Sequence, residues 1–94
     1  MVSVKDITKE ILPILKKNSV TRAGIFGSVA RGEASNESDV DILVEFGERK
    51  GLFDLVRLER ELKVILGRKV DLLTYDSINH LLREKILLEE VRIL

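Results

Sequence analysis

The chain has no cysteine, tryptophan or glutamine, and only one proline, methionine, histidine and tyrosine each. Without cysteine there is neither a disulfide nor a thiolate-bound metal, and the redox compartment stays open. There is no excess of charge: 16 Lys and Arg balance 16 Asp and Glu. Proteins that live on nucleic-acid backbones ordinarily carry a basic excess. A stand-alone DNA or RNA binder is therefore not expected. Long apolar runs are also missing. The N-terminus "MVSVKDITKE" places charges early, so neither a signal peptide nor a membrane span is expected and a cytoplasmic setting is the default. The abundance of Lys, Glu and Arg, with no Gln, is a balance also seen in thermophiles.

What remains is enough for one domain spanning residues 1–94, with 45% apolar residues to form a core. Apolar positions Val4, Ile7, Ile11, Leu12 and Leu15 have helical spacing over residues 3–17, and Ser3 is suited to cap that helix. The lone Pro13 falls inside it and is expected to kink it or to remove one backbone hydrogen bond. "TRAGIF", 21–26, reads as a strand; 27–38 as a Gly-, Ser- and Asn-bearing loop with one helical turn near Ser28–Arg31; "DVDILVEF", 39–46, as a second strand.

Residues 52–66 form the clearest helix. Leu55, Leu58, Leu62 and Ile65 make its apolar stripe, Arg57–Glu61 and Glu59–Lys63 its i,i+4 pairs, and Gly67 its stop. "KVDLLTY", 69–75, is a third strand, Ser77 caps a last helix to about Leu88, and "VRIL" is a short strand or a loose tail. The fold class expected is α/β (α+β): a small mixed sheet of three to four strands flanked by helices.

Two features carry chemistry. Asp39 and Asp41 are two residues apart on one strand, so they share a face about 7 Å apart. Asp71 interrupts the next apolar strand in the same alternating way. If those strands are neighbours, about 4.8 Å apart, the three carboxylates converge, and like charges so placed call for a cation. Hard oxygen ligands suit Mg²⁺, and two ions about 4 Å apart would clamp the attacking and leaving oxygens of a phosphoryl transfer. About ten residues earlier stands a phosphate cradle. Gly27 lets the backbone approach an anion, Ser28 offers a hydroxyl and an N–H, and Arg31 offers a charged fork.

Each feature alone has a plainer reading: a turn for Gly-Ser, a strand end for Asp-x-Asp, a core residue for the lone Asp71. Their order and spacing favour a metal–nucleotide site. Tyr75 reads as packing, with a place beside the nucleotide or self-modification as the sharper alternative. His80 reads as an exposed helix residue.

"GSVARGEASNESDVDILV" resembles the nucleotidyltransferase signature of the DNA polymerase β superfamily, and the short chain resembles its minimal (Mnt-type) members. The resemblance spans residues 24–73. It implies a nucleotidyltransferase fold and Mg²⁺-dependent transfer of AMP from ATP to a tyrosine hydroxyl of a HEPN-domain ribonuclease toxin, which the chain silences as the antitoxin of a type VII pair. Carried over residue by residue, Gly27 and Ser28 match the phosphate-binding pair and Asp39 and Asp41 the metal ligands. Asp71 matches the third carboxylate, a metal ligand and base. Arg31 matches the basic position, and Ser38 is expected to bond the loop backbone. The signature takes up most of the chain, so the acceptor is expected on another molecule. The alternatives are a binding module that neutralises its partner by occlusion, and a small-molecule nucleotidyltransferase of the antibiotic-modifying type, for which a homodimer would build the cleft.

Overall fold

The computed structural model describes residues 2–35 and 37–94; Met1 and Asn36 of the loop lie outside this description. Helix α1 runs Val4–Lys17, strand β1 Val20–Phe26, the short helix α2 Gly27–Ala30, β2 Val40–Phe46 and α3 Leu52–Leu66. Strand β3 is Val70–Thr74, α4 His80–Glu89 and β4 Val91–Arg92. The four strands form one mixed sheet in the order β3-β2-β1-β4. β1 is antiparallel to β2 and to β4, whereas β2 and β3 are parallel, with α3 as their crossover.

The alternation of side chains splits the sheet into two faces. Ala23, Ile25, Val40, Ile42, Val44, Val70 and Leu72 point to one side and bury themselves under Ile7, Ile11 and Leu15 of α1 and Leu58 and Leu62 of α3. The pairing register shifts between Val20 and Arg22. This bulge adds a residue at Thr21, so Val20 joins the same core. The opposite face carries a smaller cluster, Phe26, Leu43, Tyr75 and Ile78, roofed by Ile86 and Leu87 of α4. None of the helices is long and apolar enough to cross a membrane, among the described residues.

Several local expectations hold. Ser3 accepts a hydrogen bond from the Asp6 N–H at 3.2 Å, Gly67 ends α3 in the left-handed conformation with φ 64°, and Glu59 pairs with Lys63 at 3.1 Å. Others are corrected. The cap of α4 is Asn79, whose Oδ1 accepts from the Leu81 N–H at 2.9 Å. Ser77 instead closes a 3₁₀ turn over Tyr75–Ser77, donating to the Thr74 carbonyl at 3.0 Å. Ile65 is 48% exposed, and Leu66 packs on the core in its place. Glu61 pairs with Lys17 of α1 at 2.7 Å rather than with Arg57, tying the two covering helices together.

Pro13 is exposed and α1 continues through it. The missing N–H leaves the Lys9 carbonyl, four residues back, to water. Replacement by Ala restores that helical bond but frees the unfolded chain. Pro13→Ala is therefore expected to raise stability by about 1 kcal/mol, less than the ~3 kcal/mol of intrinsic propensity. Urea denaturation measures it.

Candidate active site

The N-terminal ends of β2 and β3 lie side by side, in register at Asp41↔Asp71, and Asp41 faces Phe26 of β1 on its other side. Because Asp41 and Asp71 are cross-strand partners, the parity of the two strands puts both carboxylates on the open face, away from α1 and α3. Asp39 precedes β2 by one residue and is on the same parity. Its carboxylate is half exposed and leans to Lys69 at 3.9 Å. Asp71 is exposed and Asp41 half-buried.

Burial, first, and then the nearby charges of Asp71 and Asp39 push the Asp41 carboxyl above its ordinary range. Arg31 opposes that shift, and Glu89 adds to it. The strands are neighbours as expected, but the three acids do not form a ready ligand cluster. Among the described residues no three His, Cys, Asp or Glu side chains stand close enough to hold a metal ion as they are. Like charges on one face favour such spacing, and Asp39 has a cation, Lys69, at 3.9 Å.

Gly27 explains how the preceding loop reaches these acids. Its φ is +73°, and a Cβ there would lie 2.1 Å from Asp41 Oδ2. Only a residue without a side chain lets this backbone touch that carboxylate. Ser28 follows at the start of α2, half-buried. Its carbonyl accepts from the Glu33 N–H at 2.9 Å. Ser38 bonds the loop as expected: its Oγ accepts from the Ser35 N–H at 2.9 Å. Arg31 is not free. Its Nε donates to Glu33 at 2.9 Å and its Nη1 to both oxygens of Glu89 at 3.3 Å.

The fit of a divalent cation can be judged from the donor set. Asp39, Asp41 and Asp71 offer only hard oxygens, on one face, and the charges of Asp71 and Asp39 both act on Asp41. Mg²⁺ suits that set.

Sequence reading missed Gly24, Glu89 and Glu90. The Tyr75 hydroxyl donates to the Glu90 carboxylate, which lies over Gly24 where a side chain would otherwise stand. Arg22 stacks on the Tyr75 ring, 4.0 Å from its centre. Tyr75 is buried and packs, and His80 is exposed at the start of α4. A glycine within an apolar strand signals close approach of another group; Gly24 was that signal.

Burial, and then the bond to Glu90, raise the Tyr75 pKa. Above the ordinary tyrosine value of about 10, the unfolded chain gives up this proton while the folded one keeps it. Stability therefore falls as pH rises through that range. Tyr75→Phe is expected to cost about 1 kcal/mol near neutrality and to flatten the alkaline loss. Denaturation curves at neutral and alkaline pH test both.

Residues 8–94 match the nucleotidyltransferase domain family. A Methanocaldococcus jannaschii protein, named as a candidate protein adenylyltransferase, is 55% identical over 92 residues, covering 98% of this chain and 99% of that one. A solved candidate minimal nucleotidyltransferase is 36% identical with a TM-score of 0.79, over 94% of this chain and 90% of that one. The same fold, at 20% identity and a TM-score of 0.75, occurs in a structure of tri-AMPylated Shewanella oneidensis HEPN toxin in complex with MNT antitoxin, covering 96% of this chain and 71% of that one. The chain therefore belongs to the nucleotidyltransferase domain family and is an enzyme of that class.

Proposed function

We propose that this enzyme transfers AMP from ATP to a tyrosine hydroxyl of a HEPN-type ribonuclease toxin and so acts as its antitoxin. The observation that carries the chemistry is the register Asp41↔Asp71 on adjacent strands, with side-chain-free Gly27 against Asp41. The name of the M. jannaschii relative and the toxin complex of the same fold support the acceptor class. A cytoplasmic setting, with its supply of ATP, goes with this reading.

In this reading Gly27, Ser28 and Arg31 hold the β- and γ-phosphates by backbone N–H, hydroxyl and guanidinium, and Ser38 keeps the loop in shape. Asp71 takes the proton of the acceptor hydroxyl. The hydroxyl oxygen forms a bond to the α-phosphorus as the bond from that phosphorus to the β-phosphate bridge breaks. Pyrophosphate leaves and the tyrosine carries AMP. Asp39, Asp41 and Asp71 would hold two Mg²⁺ ions, which would neutralise charge gathered on the phosphates.

Intact-mass analysis tests the acceptor. The chain is incubated with ATP, Mg²⁺ and a HEPN-domain toxin from the same genome. A toxin heavier by one or more AMP units supports the reading. A stable complex at unchanged mass would instead favour neutralisation by occlusion.

A further inference from the structure

We infer that Glu89 is a positioning residue for nucleotide binding, acting through Arg31. The inference rests on the reading that Arg31 meets the phosphates of ATP. Arg31 is bound on two of its three guanidinium nitrogens: Nε by Glu33 and Nη1 by both oxygens of Glu89. Its Nη2 has no partner among the described residues, so the two carboxylates fix the plane of the fork and leave the two Nη2 N–H donors to present.

Glu33 makes the shorter bond, at 2.9 Å, but its side chain is 64% exposed, whereas that of Glu89 is 22% exposed. Glu89 is also mounted on a firm support. It ends α4, whose Ile86 and Leu87 pack on the open-face cluster. The next residue, Glu90, is bonded to Tyr75 and seated over Gly24, and its N–H bonds the Ile86 carbonyl at 3.0 Å. Val91 and Arg92 then pair with β1. The C-terminal segment thus carries a carboxylate to the motif loop across 58 residues of sequence.

An ordinary surface ion pair would be nearly neutral for function. A carboxylate that merely sat near the phosphates would repel them, and its removal would tighten binding. A positioning carboxylate has the opposite sign, so direction separates the readings. The experiment compares Glu89→Ala, Glu89→Gln, Arg31→Ala and the Glu89→Ala/Arg31→Ala double variant. Calorimetric binding of AMP-PNP with Mg²⁺ is measured alongside KM for ATP and kcat.

Glu89→Ala is expected to weaken binding and raise KM about tenfold with kcat changed about twofold or less. Glu89→Gln, which retains an acceptor oxygen, should recover part of the loss. In the Arg31→Ala background Glu89→Ala should add nothing further. Unchanged or tighter binding in Glu89→Ala, or additive losses in the double variant, would overturn the inference while leaving the transferase reading intact. Wild type that binds no AMP-PNP would overturn both. Should Glu89→Ala fail to fold, Glu89→Gln against Arg31→Ala/Glu89→Gln gives the same comparison.

Discussion

Asp41→Asn is expected to abolish transfer while leaving the protein folded, and slightly more stable. The loss should be roughly a thousandfold or more, about 4 kcal/mol of barrier. The reason is position. Asp41 is the acid that both Asp39 and Asp71 act on, and the one that Gly27 touches. The gain in stability follows from the same environment. Burial and like charges raise the Asp41 pKa, so keeping this carboxylate ionised costs the folded state more than the unfolded one. A neutral isostere removes that cost. Melting curves without divalent cation, run beside transfer assays, measure both. A variant both inactive and destabilised would mean that Asp41 serves the fold. One with near-normal transfer would remove it from the chemistry.

The second large effect is expected from Gly27→Ala. Two costs combine there. The backbone has φ +73°, which costs a residue with a Cβ about 1–2 kcal/mol. The new methyl would also lie 2.1 Å from Asp41 Oδ2 and push that carboxylate from its place. Displacing a reacting group by about an ångström costs on the order of a hundredfold in rate. Gly32 supplies the control. Its φ is +74°, yet a Cβ there meets nothing within 4 Å. Gly32→Ala should therefore show a similar loss of stability with transfer largely retained. Equal losses of activity in the two variants would assign the effect to loop strain and not to the contact with Asp41.

The acids of the candidate site were legible because they break a period. A strand alternates faces every residue, so Asp39, Asp41 and Asp71 among Val, Ile and Leu announce a stretch of one face that is not core, although Leu43, further along that face, is buried. Gly27 was legible as a place of close approach through the motif around it, but its left-handed backbone was not. What escaped was set by partners distant in the chain. Nothing local in "LLEEVRIL" says that Glu89 meets Arg31 or that Glu90 crosses Gly24, because an ion pair across the fold leaves no periodicity. The cap of α4 was misassigned because Ser77 and Asn79 are both good caps, and the choice fell to a 3₁₀ turn that Tyr75, buried beside Phe26 and Leu43, brings with it. Ile65 was placed on the stripe of α3 by spacing alone. In the structure Leu58 and Leu62 are fully buried, and the helix turns Leu66, not Ile65, toward them.

The central claim is that this site drives attack on the α-phosphorus of ATP, and isotope labelling tests it most directly. ATP carrying ³²P at the α-position, and separately at the γ-position, is incubated with the chain, Mg²⁺ and the HEPN-domain toxin. The account predicts α-label on the toxin, γ-label released as pyrophosphate, and no transfer by Asp41→Asn. Transfer of the γ-label, or α-label transfer that survives Asp41→Asn, would contradict it.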